Sequence, residues 1–319
     1  MNIDVHHHWM PKEHIDNVEK YMRQNERVVR EENKVHLFRD NVEVFTIFPI
    51  YPDLEGQLKA MDAARVDMAV LSTCLWQEWN TMKIAPFIND TLAKIQQKYP
   101  NRFIGLAHVP PFEKGAAPEL ERAIKVLGLK GVCINTHCQG KYPDDDAYRP
   151  LFQKAEELDV PIVVHASGTP AEYESMRKYG LHRLFGRAVD HTLVVLKLLF
   201  SGILKDYPKL KFVMGHIGGT WFALSERFLN PPPGHFPGIN IRENLQQIYF
   251  DTAPAVWTKA ELQCAVATIG VNHLMLGSDY PAGQPNWMEK SVQCIESLGL
   301  APKDQEKIMS GNARKLFKC

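Results

Sequence analysis

A (β/α)8 TIM barrel, an α/β fold, is the class this sequence predicts, on three observations. Short apolar runs alternate with longer segments of helical period. Several of the short runs are almost continuously apolar, as strands buried on both faces must be. The length, 319 residues, is long for one packed core unless the fold is a barrel. A doubly wound open sheet is the competing class.

The elements follow in order. IDVHHH (3–8) is the first strand, and a long connection, 10–53, follows it. Helix 54–66, LEGQLKAMDAARV, leads into strand 68–73, MAVLST. Helix 82–99 precedes strand 102–109, and helix 117–128 precedes strand 131–136. Helix 145–159 meets strand 161–166 at the joint AEELDVPIVV, where a turn signal separates helical from strand period. A second long connection, 167–192, comes before helix 193–207, and KDYPKLKFVM joins that helix to strand 211–216. Helix 220–229, strand 248–252, helix 258–270, strand 274–280 and helix 287–299 complete the alternation, and KIMSGNARKLFKC closes the chain. Residues 1–319 thus read as one barrel domain with insertions after the first and fifth strands. Connections of that length cap or line a site, and 10–53 is the expected cap.

Composition excludes several functions. Lys plus Arg and Asp plus Glu are both 37, so no basic excess draws the chain to nucleic acid or an anionic membrane. The opening MNIDVHHHW lacks a basic region followed by an apolar one, so no signal peptide is expected. TLVVLKLLFSGIL (192–204) is too short to span a bilayer and carries Lys197. Six cysteines without a CxxC suggest neither a disulfide framework nor a zinc ribbon, and reduced thiols in a cytoplasm are the expectation.

Chemistry in such a barrel sits at the C-terminal ends of the strands. The first strand ends in His6-His7-His8, the fifth in His165, the sixth in His216 and the eighth in Asp279. Side chains alternate along a strand, so His6 and His8 share a face and His7 points away. Asp4 is expected on the face of His6 and His8, one layer deeper, supporting a metal shell or accepting hydrogen bonds in the barrel floor. Asp251 ends the seventh strand with the same two readings. Imidazoles and a carboxylate converging on the barrel axis make a donor set for zinc or a similar divalent metal. His137, after the fourth strand, is a candidate substrate contact, and the remaining histidines read as structural or solvated. All six tryptophans (Trp9, Trp76, Trp79, Trp221, Trp257 and Trp287) follow predicted strands, which puts them on the catalytic side. Flat apolar walls with few polar groups suit a planar aromatic or unsaturated acid, and Trp76 is the candidate substrate contact among them.

DVHHHWMP, KGVCINTH, PIVVHASG, DYPKLKFVMGHIGG, LMLGSDYP and GNARKLF occur in that order between residues 4 and 317. Together they resemble the amidohydrolase superfamily, in its branch related to 2-amino-3-carboxymuconate-6-semialdehyde decarboxylase. The resemblance implies His6, His8, His165 and Asp279 as ligands of one divalent ion, zinc first and manganese as the alternative. It implies His216 as the acid/base group beside the ion. No lysine ends the fourth strand, which argues against a binuclear centre. Arg227 resembles an arginine that reaches into a neighbouring subunit's site, which implies a homodimer. The branch also carries a carboxylate-binding arginine before the first barrel helix. TIFPIYPDLEG (46–56) has none, and Arg39 is the candidate substitute.

The leading expectation is a metal-dependent, non-oxidative decarboxylase of an aromatic or muconate-like acid, with the proton supplied by the metal water, His216 or Asp279. The second is a hydrolase or hydratase acting on an amide, lactone, carbon–carbon or carbon–carbon double bond. The third is a non-catalytic metal-binding module, which retention of His216 beside a full donor set disfavours.

Overall fold

The computed structural model describes residues 1–22, 24–73, 81–168, 170, 173–232, 234–235, 238–253, 259–282 and 285–319. Trp76, Trp79, Trp257 and Cys74 lie outside the described residues. The first strand, β1, is Ile3–His8. The connection that follows contains β2 (Glu26–Glu31), β3 (Lys34–Arg39) and β4 (Val42–Ile47). The later strands are β5 (Met68–Ser72), β6 (Phe103–Gly105), β7 (Ala107–His108), β8 (Val132–Asn135), β9 (Ile162–His165), β10 (Phe212–Met214), β11 (Ile248–Asp251) and β12 (Leu274–Met275).

Outside β2–β4 the strands are parallel, in the orders β1-β5-β6 and β7-β8-β9-β10-β11-β12. β6 and β7 are one stave interrupted at Leu106. Leu106 N–H donates back to Leu71 O (3.1 Å) and Ala107 N–H forward to Gly131 O (2.8 Å). The ring closes between β1 and the segment after β12, through Val5 N–H to Leu276 O (2.8 Å), Asp279 N–H to His6 O (2.9 Å) and His8 N–H to Tyr280 O (2.8 Å). Counting β6 and β7 together, this is the barrel that the alternating pattern predicts.

Two apolar clusters hold it. Ile3, Val5, Met68, Val70, Ile104, Leu106, Cys133, Val163, Val213 and Met275 fill the barrel, and Ala313 and Phe317 of the last helix join them. The larger cluster lies between the staves and the surrounding helices, taking residues such as Leu71, Ile134, Val164, Met214 and Phe250. Strand residues alternate between the two clusters, which is why the runs are apolar throughout.

Three details depart from the sequence reading. Only Leu274–Met275 of the predicted strand 274–280 is regular, because Leu276 N–H turns to Ile308 O (2.9 Å). The predicted helix 193–207 begins earlier, at Arg187, and ends at Phe200; Gly202, at φ 83°, separates it from a short helix, Ile203–Asp206. The connection 10–53 carries the antiparallel sheet β2-β3-β4, whose Asp40-Asn41 turn has both residues at positive φ (48° and 63°), as a two-residue hairpin turn requires. This sheet packs against the second long connection. Tyr173 OH donates to Arg39 O (3.2 Å) and Arg187 Nη2 donates to Val44 O (3.1 Å).

Candidate metal centre

An irregularity in β1 aims its histidines. Ile3 and Asp4 pair with Met68 and Ala69, but His7 and His8 pair with Leu71 and Ser72, so three steps along β1 match two along β5. Such a bulge reverses the alternation within the strand. Ile3 and Val5 face the barrel interior below it, and His6 and His8 face the axis above it. Asp4 is therefore not on the face of His6 and His8, contrary to the strict alternation assumed from sequence. Its carboxylate accepts from His7 Nδ1 (3.1 Å), Ser278 N–H (3.0 Å) and His6 N–H (3.1 Å), tying the backbones that carry the site.

Three strand ends, those of β1, β9 and β10, and the segment after β12 converge on one point. His6, His165, His216 and Asp279 each offer one donor atom, all within 4.8 Å of one another. His8 borders the same group, with its ring 4.9 Å from that of His6 and 4.7 Å from that of His165, and its Nε2 3.0 Å from Asp279 Oδ1. Each imidazole is held at Nδ1 and turns Nε2 inward. His6 Nδ1–H donates to Asp251 Oδ2 (2.7 Å), and His165 Nδ1–H donates to Ala166 O (2.9 Å). His8 Nδ1 meets Ser72 Oγ (2.8 Å), and His216 Nδ1 meets His191 Nε2 (3.1 Å). Partners of this kind fix the tautomer and ring angle of metal-binding histidines.

Backbone strain collects here too. His216, Ile217 and Asp279 sit at φ 52°, 53° and 60°, in the left-handed region that costs a non-glycine residue about 1–3 kcal/mol. His216 N–H to Asp251 Oδ1 (3.0 Å) and Asp279 N–H to His6 O (2.9 Å) help to hold them. Gly277 is needed for close approach. A Cβ there would stand 2.9 Å from Asp251 Cβ and 3.0 Å from His6 Cβ. Gly277→Ala is expected to cost about 1–3 kcal/mol of stability and to lower metal retention, read by thermal melting and metal analysis. An unchanged melt with full metal content would show that the crowding is relieved elsewhere.

The electrostatics favour a bound cation. Burial pushes the His6 imidazole down, but the Asp251 carboxylate on Nδ1, aided by Asp279, raises it to about 10. Burial dominates at His8, which falls to about 4, and at His165, held well below the ordinary value with the neighbouring imidazoles adding to the effect. Burial also works against the Asp279 carboxylate, yet the His216, His6 and His8 imidazoles beside it hold it well below the usual range. The cluster thus pairs an ionised carboxylate with neutral imidazoles and one strongly basic one. His6 Nε2 is buried, 3.3 Å from Asp279 Oδ1, and among the described residues it has no partner with hydrogen-bond geometry. Three imidazole nitrogens and one carboxylate oxygen, one nitrogen orphaned, fit a divalent ion.

An amidohydrolase family model matches residues 3–319. The chain belongs to the amidohydrolase family. This amidohydrolase is 28% identical over 275 residues to 2-amino-3-carboxymuconate-6-semialdehyde decarboxylase of Dictyostelium discoideum, an alignment covering 82% of this chain and 75% of that one. It is 27% identical over 287 residues to gamma-resorcylate decarboxylase of Rhizobium sp., covering 83% and 86%. It shares its fold with 5-carboxyvanillate decarboxylase of Novosphingobium aromaticivorans, solved with bound manganese, at a TM-score of 0.82 and 23% identity over 100% of this chain and 97% of that one. The amidohydrolase is thus an enzyme related in sequence to carboxy-lyases.

The other sequence candidates have local partners of their own or lie exposed. His137 is half-buried, with Nε2 3.7 Å from Asp190 Oδ2 and its ring 5.5 Å from that of Tyr142. Arg39 lies in β3, where its Nε and Nη2 donate to Glu26 Oε1 (3.0 and 2.6 Å). Arg227 is exposed in the last turn of helix Trp221–Leu229. Trp221 is fully buried and stacks on Phe228, so it serves the packing of that helix rather than a wall of the site. Trp9 is buried and donates Nε1–H to Pro52 O (3.3 Å). Among the described residues, no helix is long and apolar enough to cross a membrane.

Sequence reasoning missed His191, Ser72 and Asp190. Asp190 is buried and accepts from Thr136 Oγ1 (2.5 Å) and from Tyr142 OH. The only signal for Asp190 and His191 was two adjacent polar residues just before the apolar run LVVL (193–196).

Proposed function

We propose that the protein is a metal-dependent, non-oxidative decarboxylase of a small planar carboxylic acid, aromatic or muconate-like. Its mononuclear divalent ion, zinc or manganese, is held by His6, His8, His165 and Asp279. The observation that carries this reading is the convergence of inward Nε2 atoms on one ionised carboxylate, in a chain related to decarboxylases.

The ion supplies Lewis-acid polarisation of the substrate's oxygens. The chain supplies the proton. His216 Nε2 stands 3.5 Å from Asp279 Oδ2, close enough for the pair to pass a proton toward a substrate carbon seated beside them. That carbon gains the proton and its bond to the carboxylate breaks. Carbon dioxide leaves, and the bonding pair returns to the conjugated system. No oxidant and no incorporated water are required. His137, Arg39 and Trp76 are substrate-side candidates, Arg227 is the candidate contribution of a second subunit, and 10–53 is the candidate cap.

The direct test measures metal content together with carbon dioxide release over a panel of planar hydroxy- and aminobenzoates and muconates. About one ion per chain is expected, with release from a panel member and, in heavy water, one deuteron at the vacated carbon. Products carrying water oxygen instead would replace this reading with hydrolysis or hydration. A chain that binds no divalent ion after reconstitution would remove it.

A further inference from the structure

We propose that His191 is a positioning residue for His216: its Nε2–H, donated to His216 Nδ1, fixes the tautomer in which His216 carries its own proton on Nε2, toward Asp279. The proposal rests on the reading of His216 as the acid/base group.

His191 lies one turn into the helix Arg187–Phe200 and is completely buried. Its Nε2 is 3.1 Å from His216 Nδ1, with ring centroids 5.0 Å apart and planes inclined at 39°. His191 Nδ1 is also buried, and it has no hydrogen-bond partner among the described residues. A neutral imidazole has one proton for two nitrogens. With the proton on Nδ1, a buried N–H would be stranded, an arrangement native structures rarely tolerate. With it on Nε2, the N–H donates to His216 and only a lone pair goes unused. The second arrangement wins on that comparison.

The consequence passes to His216. Its Nδ1 becomes an acceptor, so its proton sits on Nε2, the atom 3.5 Å from Asp279 Oδ2. His216 then rests with its N–H directed into the site, toward Asp279, which fixes the orientation of the ring that handles the proton. The surroundings hold this geometry. Asp251 Oδ1 accepts His216 N–H (3.0 Å), and a Cβ on Gly215 would lie 3.2 Å from His6 Cε1 and 3.4 Å from His191 Cε1. Both rings are thus packed closely against the same backbone.

The test uses the zinc-loaded protein with 15N-labelled histidine, and NMR reads which nitrogen of His216 is protonated. His216 is assigned by its loss in His216→Asn. The parent protein is expected to show Nε2–H. His191→Leu removes the donor and is expected to populate Nδ1–H, whereas His191→Gln, whose amide N–H can donate, should keep Nε2–H. With a substrate in hand, His191→Leu should lower kcat about 10- to 100-fold at unchanged KM and zinc content, and His191→Gln should recover most of it. A parent His216 protonated on Nδ1, or an Nε2–H tautomer that survives in His191→Leu, overturns the proposal. So does loss of Nε2–H in His191→Gln, which keeps the test decisive if the leucine variant does not fold. The tautomer is readable without turnover, so failure to find a decarboxylated substrate leaves this test standing and counts only against the function.

Discussion

Asp279→Asn is expected to lower turnover about 1,000-fold or more while leaving the barrel folded. Among the described residues, Asp279 is the one carboxylate that faces His6, His8 and His216 together, with its oxygens 3.3, 3.0 and 3.5 Å from their Nε2 atoms. Asparagine keeps the shape and tolerates the positive φ of 60° at this position, so the backbone has no reason to move. What it loses is charge. Without the carboxylate the cluster has no anionic donor at its centre, and His216 has no partner with which to pass a proton. Thermal melting separates this from unfolding, and metal analysis separates lost binding from lost proton transfer. Activity within about tenfold of the parent at full metal loading would remove Asp279 from the chemistry.

Much of this site was legible because barrel strands are apolar until they end. A polar residue at the end of such a run has little to do in the core, so His165, His216 and Asp279 stood out in sequence. The fold was legible for the same reason, since burial on both faces erases the usual alternation and leaves short apolar runs between helices. The bulge in β1 was not legible. It depends on one extra residue against β5, and alternation counted from Asp4 predicts the wrong face for it. Of the support at Nδ1, Asp251 was legible as a candidate at the end of the seventh strand, but Ser72 and His191 were hidden, because they come from other elements and meet the histidines only after closure. The β2–β4 sheet left a faint trace in Asp40-Asn41, but its strands carry charges on both faces and so lack a clean period. Arg39 illustrates the limit of reading single charges. Its residue type suits a substrate carboxylate, yet Glu26 across the hairpin already engages its guanidinium.

Metal binding is expected to release about one proton per ion near pH 7.5, and that proton comes from His6. His8 and His165, depressed by burial, are already neutral at that pH, and Asp279 is already ionised. His6, raised to about 10, is the ligand that still carries a proton the ion must displace. Affinity should therefore climb about tenfold per pH unit through neutrality and level off toward pH 10. Stability of the metal-free fold runs the other way. A histidine raised on folding stabilises fully below its unfolded value of 6.5, and that contribution fades as pH rises toward 10. Alkali should thus weaken the metal-free protein over the range in which it strengthens the hold on the ion. Calorimetric titration in buffers of different ionisation enthalpy counts the protons directly. Asp251→Asn should flatten the pH dependence and weaken binding about 10- to 100-fold, because the carboxylate that makes His6 basic is gone. Binding without proton release at pH 7.5, or an unaltered slope in Asp251→Asn, would mean that the Asp251–His6 pair does not control the ion.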